Sequence, residues 1–218
     1  MRTIVTAVLL TLTAPASYSD VIIGNARVLD GDTIKIGSQV VRLHGIDAPE
    51  NDQYCERDGK NYNCGAVAEN ALRTLVSGDV TCYGDVQDRY QRLIAVCQSE
   101  GRNINRQMVK TGHALAFRRF STDYVTEELT AMEAKVGIWA GTFEAPWDFR
   151  AERWANASPD APSSGCPIKG NINSKGERIY HTPWSKSYKR TKINEAKFER
   201  WFCTEAEALA AGWRAPYR

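Results

Sequence analysis

Three short charged clusters carry the chemistry that this sequence could perform. They are residues 30–33 (DGDT), 42–50 (RLHGIDAPE) and 88–92 (DRYQR). Carboxylate oxygens suit hard cations such as calcium or magnesium. A guanidinium can bind two oxygens of a phosphate while it stays charged. If the clusters meet, they supply a metal site, two phosphate-binding arginines and a carboxylate that orients water, which is the equipment for phosphodiester hydrolysis.

Each cluster also has a simpler interpretation. Asp-Gly is an ordinary turn dipeptide. The acidic residues near Glu50 could mark the start of a loop, with Glu50 beside a helix N-terminus. Arg42, at an alternating strand position, could lie on a solvated face. Sequence spacing alone does not show that the clusters converge.

The elements that must position these clusters follow from hydrophobic periodicity. Alternation and β-branched residues predict five strands, at residues 21–29, 33–36, 39–46, 79–83 and 93–97. Helical periodicity predicts helices at 65–76, about 103–110 and about 122–136, with a short strand at 114–117. Strands that come early and helices that come late indicate an α+β domain built on a small barrel.

The order of three motifs, VLDGDT, VRLHGIDAPE and DRYQRL, resembles the thermonuclease (staphylococcal, or micrococcal, nuclease-like) family. The resemblance runs from about residue 21 to 139 and includes the GIW ending typical of that domain. It implies a five-stranded OB-type β-barrel with three helices, and a calcium (Ca2+) site at one end. It assigns metal binding to the Asp32 and Asp47 carboxylates and to the backbone carbonyl of Ala48.

The same resemblance assigns the remaining roles. Glu50 matches the general base or water-positioning glutamate, and Arg42 and Arg92 match the two phosphate-binding arginines. Tyr90 aligns near a tyrosine that contacts a nucleotide phosphate. The nucleobase-stacking tyrosines of the family fall near residues 117 and 120, both Phe here, with a shifted spacing.

The implied function is calcium-dependent hydrolysis of the phosphodiester bonds of DNA, leaving RNA open as a further nucleic acid substrate. The family analogy gives 3′-phosphate products. The alternative is a non-catalytic OB-type module that binds nucleic acid or an envelope polymer. We assume a monomer.

The first 19 residues predict a secretory signal peptide, because a positive start precedes a short apolar run and small residues. We place cleavage after Ser19, with Ala16 second; a membrane anchor or a buried N-terminal helix is the alternative. The mature protein is then secreted or periplasmic, with no later stretch apolar enough for a transmembrane helix.

Six cysteines remain after this leader, and an even number in an exported chain predicts disulfides. Cys82 and Cys97 lie symmetrically about a hairpin turn and should pair. Residues 55 and 64 are cysteines that bracket one polar loop. Cys166 and Cys203 are left for each other, with free or metal-bound thiols as the alternative.

Charge divides the chain into two parts. Residues 20–165 carry 16 Lys and Arg against 21 Asp and Glu, whereas residues 166–218 carry 11 against 5. The small, polar and Pro-containing segment 156–165 predicts a linker. We therefore predict a catalytic domain at 20–155 and a small basic α+β accessory domain at 166–218.

The accessory domain resembles the sunset-type domain appended to exported bacterial nucleases. Residues 173–176 predict a hairpin turn, and Thr204 predicts the N-cap of a helix at 206–211. Its basic residues predict attachment to nucleic acid or an anionic envelope polymer, or form a solvated surface. They are Lys169, Lys175, Lys186, Lys189, Arg190 and Lys192. A zinc site on Cys166, His181 and Cys203 is a third possibility.

Overall fold

The computed structural model describes residues 20–157, 159, 161–162 and 165–216. The predicted signal peptide lies outside these residues. Across the described part of the chain, every helix is too short or too polar to cross a membrane.

The chain forms thirteen strands and five α-helices within the described residues. In chain order they are β1 (Asp20–Asp30), β2 (Thr33–Ile36), β3 (Gln39–Leu43), β4 (Ile46–Asp47), β5 (Tyr54–Arg57), β6 (Lys60–Asn63), α1 (Cys64–Leu75), β7 (Asp79–Gln87), β8 (Leu93–Ser99), β9 (Arg102–Asn103), α2 (Ile104–Lys110), β10 (Leu115–Ala116), α3 (Val125–Glu133), α4 (Pro146–Ala157), β11 (Ile168–Ile172), β12 (Arg178–His181), β13 (Arg200–Phe202) and α5 (Glu205–Ala210).

Five of these strands close the barrel that the sequence predicts. Their order is β3-β2-β1-β7-β8, and a pairing between β3 and β8 joins the two ends. All neighbours are antiparallel except β3 and β8, which run parallel. Buried and half-buried residues alternate along β8, as expected for a strand with one face on the core. The inward side chains include the fully buried Ile34, Val41 and Leu93.

The helices α1, α2 and α3 correspond to the three predicted from the sequence. Asn63 caps α1 by accepting a hydrogen bond from the backbone N–H of Ala66 at 2.8 Å. Ala68 and Leu72, one turn apart on α1, are buried in the barrel core. The third helix is shorter than predicted, because a turn and a cap at Tyr124 come before its first residue.

All three predicted disulfides are present, and no described cysteine is free. Cys82 and Cys97 face each other in the β7–β8 register. Because Cys166 and Cys203 are bonded to each other, they are not thiolate ligands for zinc.

A hairpin and a helix are among the elements that were not predicted from the sequence. The polar loop between Cys55 and Cys64 is a β5–β6 hairpin, turned by Asp58 and Gly59 with φ values of 52° and 72°. Two adjacent positive φ angles are the mark of a type I′ turn, which matches the twist of paired strands. The second element is α4, whose last two residues fall in the predicted linker.

The C-terminal residues form a second, smaller core. The strands β12, β11 and β13 make one sheet, and Tyr180, Phe202 and Trp213 pack with α5. The predicted turn is present, since the backbone N–H of Gly176 donates to the carbonyl of Asn173. The hydroxyl of Thr204 caps α5 by accepting from the backbone N–H of Glu207. The boundaries of the two predicted domains stay a prediction. Trp154 of α4 falls within the predicted catalytic domain, yet it packs on this C-terminal core.

Candidate active site

The turn between β1 and β2 delivers Asp32 to a buried position, where only 3% of the residue is exposed. Its Oδ1 accepts from the Arg42 guanidinium at 2.7 Å and from the Thr33 hydroxyl at 2.9 Å. Its Oδ2 accepts from the backbone N–H of Ala48 at 3.0 Å. Gly31 permits this close packing, because a Cβ there would lie 2.7 Å from the Ala48 side chain. The DGDT motif and the segment around Ala48 therefore meet.

The second aspartate, Asp47, is fully buried at the end of β4. The short β4–β10 pairing holds its backbone against Leu115. Its Oδ1 accepts from Arg42 at 2.8 Å, so one guanidinium bridges Asp32 and Asp47. Burial alone would lower the pKa of Arg42, but the surrounding carboxylates outweigh it and raise that pKa.

The backbone of Glu50, the glutamate of the same motif, is held in place by hydrogen bonds. Its N–H donates to the Gln53 side chain at 3.1 Å, and its carbonyl accepts from the Gln53 N–H at 2.8 Å. Gln53 is itself fully buried and donates to the carbonyl of Glu144. A Cβ on Gly65 would lie 1.7 Å from the Glu50 carbonyl oxygen, so the start of α1 packs directly on this turn.

The two predicted phosphate-binding arginines come from neighbouring segments of the barrel. In the parallel β3–β8 register Arg42 pairs with Ile94, and Arg92 lies two residues before Ile94, in the loop that leads into β8. The pairing therefore brings the loop that carries Arg92 beside β3.

The Arg92 guanidinium does not join the acidic cluster directly. It bonds the Asp88 carboxylate, with both its Nε and its Nη2 at 2.7 Å from Oδ2. Tyr90 lies beside it, with the Arg92 guanidinium 5.1 Å from the ring centroid. Burial, followed by the nearby charge of Glu205, raises the pKa of Tyr90 to about 12. Glu205 begins α5, so the loop that carries Arg92 lies against the C-terminal core.

One residue in the cluster was not predicted, Arg150 of α4. Its guanidinium donates to Oδ2 of Asp47 at 2.7 Å, to Oδ1 of Asp47 at 3.2 Å and to Oε1 of Glu50 at 2.9 Å. Thus Glu50 joins Asp47 through Arg150. The sequence carries one signal for this helix, a Pro at its first position followed by Trp147, Arg150 and Trp154 at helical spacing.

Aromatic rings lie next to the cluster. Phe117 donates its N–H to the carbonyl of Gly45, one turn from Asp47. Its ring packs edge-on against Phe120 and stacks on Trp147 of α4, with centroids 5.7 Å apart and planes 5° from parallel. Phe120 is 66% exposed, so an open aromatic surface lies where the family's stacking residues were expected.

The oxygen donors present suit a hard divalent cation. The buried Asp32 and Asp47 carboxylates lie together, and two guanidiniums already show that this group accommodates positive charge. Within the described part of the chain, no group of three or more His, Cys, Asp or Glu side chains could hold a metal ion by itself. The two carboxylates therefore suit a hard divalent cation by the type of donor, and further oxygen donors would have to complete its coordination.

Comparison with known proteins decides the family. A family model described as staphylococcal nuclease homologue matches residues 40–141. An uncharacterized endonuclease of Escherichia coli O157:H7 is 32% identical over 159 residues, which cover 69% of this chain and 98% of that protein. This chain belongs to the staphylococcal nuclease family. Together these findings support a nuclease hydrolase, and the closed barrel agrees with the staphylococcal nuclease fold.

Other relatives of the staphylococcal nuclease family carry different names. The succinoglycan biosynthesis protein ExoI of Rhizobium meliloti is 36% identical over 138 residues, 60% of this chain and 71% of that protein. The probable staphylococcal-like nuclease CAN3 of Oryza sativa is 33% identical over 125 residues, 56% of this chain and 30% of that protein. A second family model, described as ArfC, matches residues 149–215. It does not confirm the sunset-type resemblance, which stays a prediction.

Proposed function

We propose that this protein is an exported, calcium-dependent endonuclease that hydrolyses phosphodiester bonds of DNA, with RNA as a further candidate substrate. The observation that carries the proposal is the convergence of residues far apart in the chain. Arg42 bonds both Asp32 and Asp47, and Arg150 links Asp47 to Glu50, all in one buried cluster. Nuclease-named relatives support the nucleic acid substrate.

In this proposal the Asp32 and Asp47 carboxylates and the Ala48 carbonyl would hold the metal. When bound, calcium would withdraw electron density from a phosphoryl oxygen. Glu50 would orient a water molecule and accept its proton as the water oxygen bonds to phosphorus, while the P–O5′ bond on the opposite side breaks and the leaving 5′-oxygen takes a proton from solvent. The backbone of Glu50 is held by the Gln53 contacts described above, and its Oε1 accepts from Arg150, which together limit the positions that the carboxylate can adopt.

The arginines would stabilise the charge that develops on the phosphoryl oxygens. Arg42 stays charged at every working pH, since its pKa is raised by the surrounding carboxylates once burial has been offset. Arg92, on the loop that leads into β8, would exchange part of its contact with Asp88 for the phosphate. Preorganised charged donors of this kind each lower the barrier of the reaction.

Export is supported by the disulfides. Three bonds of this kind persist in oxidising compartments such as the periplasm or the medium. Of the six basic residues predicted to attach the C-terminal part to a polymer, five are exposed. The sixth, Lys169, donates to the carbonyl of Tyr188 and lies over that ring. Attachment to an envelope polymer stays a prediction for those five.

The test is plasmid cleavage by the purified mature protein across a series of divalent ions. Cleavage should stop with EDTA and return with calcium. Arg92→Ala and Glu50→Gln should each lower turnover by about 10²- to 10³-fold, the usual effect of losing one transition-state contact. Arg73→Ala, at an exposed ion pair on α1, is the matched control and should cleave normally.

The rival is a non-catalytic OB-type binding module. Binding of labelled DNA without cleavage, under every ion tested, would favour it. Wild-type turnover in the Glu50 or Arg92 variant would reject the residue assignments.

A further inference from the structure

Arg150 reaches the candidate active site from outside the matched nuclease segment. That segment ends at residue 141, whereas Arg150 lies within the stretch that matches the ArfC model. Its three hydrogen bonds to Asp47 and Glu50 make it the partner of a predicted metal ligand and of the predicted base at once.

The position of Arg150 is fixed by the contacts that hold α4 in place. Trp147, three residues earlier, stacks on Phe117 of the barrel domain. Arg153 lies 3.5 Å from the Asp52 carboxylate, and Trp154 packs against Trp184 of the C-terminal core. Residues at these spacings share one face of a helix. The face of α4 that carries Arg150 is therefore held at both ends, and its guanidinium is only partly exposed.

The contacts of Asp47 show how Arg150 would interfere with the binding of a metal ion. Oδ1 of Asp47 already accepts from Arg42 and Arg150, and Oδ2 accepts from Arg150. An ionised carboxylate has about four lone-pair sites. Three guanidinium contacts therefore occupy most of the acceptor capacity that a cation at Asp47 would use, and Oε1 of Glu50 is engaged as well.

We propose that Arg150 is a built-in competitor of the divalent cation, placed by α4 on Asp47 and Glu50 so that metal binding must displace it. The proposal rests on the metal site of the proposed function. It gives the segment beyond the nuclease domain a direct role, which is to set the metal affinity of the active site. Arg42 also contacts Asp47, but it lies within the nuclease segment and is assigned to the phosphate, so it is not the contribution of α4.

The direction of the effect follows from charge. Arg150 stays protonated, since the carboxylates of Asp47 and Glu50 raise its pKa after burial has been offset. A positive charge a few ångströms from a divalent ion weakens its binding about tenfold even when the dielectric constant is that of water. Removing the charge and freeing the acceptor sites should therefore tighten calcium binding by at least about tenfold.

The experiment is isothermal titration calorimetry of the full mature protein with calcium chloride. Arg150→Gln should bind calcium at least about tenfold more tightly than the wild type. Arg150→Lys, which keeps the charge but loses the two-oxygen contact, should change the affinity less. Arg73→Gln, which removes a positive charge paired with Glu69 on the exposed side of α1, is the matched control and should leave the affinity unchanged.

Unchanged or weaker calcium binding in Arg150→Gln would overturn the proposal, and so would equal tightening in the Gln and Lys variants. Circular dichroism checks that each variant is folded, and the rise in Tm on adding calcium gives a second readout, which should be larger in Arg150→Gln than in the wild type. If neither protein binds calcium, the proposal also fails. Plasmid cleavage with and without EDTA then decides the proposed function separately.

Discussion

The contact between Gly65 and the turn at Glu50 allows a quantitative test of how closely the predicted base must be held. Gly65 lies in the first turn of α1, and a Cβ added there would be 1.7 Å from the Glu50 carbonyl oxygen and 2.5 Å from its carbon. Real Cβ atoms keep at least 3.0 Å, so Gly65→Ala must push the two backbones apart by about 1.3 Å. Both contacting groups are backbone, which leaves no flexible side chain to absorb the shift.

A displacement of about 1 Å at a catalytic group costs roughly 10²-fold in rate. We therefore expect kcat of Gly65→Ala to fall about 100-fold, equivalent to about 2.7 kcal/mol in the activation barrier. KM for DNA should change much less, because the displaced contact lies in the turn at Glu50 and not on the segments that carry Arg42 and Arg92. Initial rates of cleavage of a fluorescent oligonucleotide, measured under saturating calcium, give both parameters.

The control is Gly78→Ala, at a glycine with φ +58° and no neighbouring atom within 4 Å of an added Cβ. It strains the backbone and lowers stability without moving Glu50. Urea denaturation establishes that both variants are folded at the assay temperature. A folded Gly65→Ala enzyme with the kcat of the wild type would refute the reasoning, because Glu50 would then not need its observed position.

Two further predictions concern stability. Burial, followed by the charge of Lys169, lowers the pKa of His181 to about 4. In the unfolded chain this pKa keeps its usual value near 6.5, so below pH 6.5 the unfolded state binds a proton more readily than the folded state. The C-terminal core should therefore lose up to about 3 kcal/mol of stability as the pH falls from 6.5 to 4. His181→Asn should flatten this pH dependence of the free energy of unfolding, measured by urea denaturation. An unaltered pH dependence would contradict the assignment. Replacing both Cys55 and Cys64 by Ala should lower the free energy of unfolding by about 2.5 kcal/mol through the 9-residue loop that they close, and an unchanged urea midpoint would count against that value.

Much of the barrel and part of the site could be predicted because the relevant signals are local. Alternation along β2, β3 and β8 follows from burial of one face, and the acidic and basic motifs sit at the ends of those strands. Their order along the chain, matched to a family, carried the prediction that Asp32, Arg42 and Asp47 meet, which the structure shows.

The remaining features depend on tertiary packing. Arg150 lies in none of the three motifs, and tertiary contacts such as the stacking of Trp147 on Phe117 and the contact of Trp154 with Trp184 bring it to Asp47. The helical spacing predicts that Arg150 lies on one face of a helix, but it does not predict which part of the protein that face contacts. The β5–β6 hairpin was missed for a different reason. Its strands are polar and carry no alternation, so the Asp58-Gly59 pair was the one local signal.

The parallel pairing that closes the barrel also determines when the molecule can act during folding. Val41 and Leu93 are partners in that pairing, yet 52 positions separate them in the chain. Contacts between such distant segments form slowly, because the entropy of the intervening loop is lost before the contact is made. This pairing brings the loop that carries Arg92 beside the strand that carries Arg42. A nascent or half-folded chain in which it has not formed would lack both arginines in their working positions, so we expect the nuclease to stay inactive until the barrel has closed.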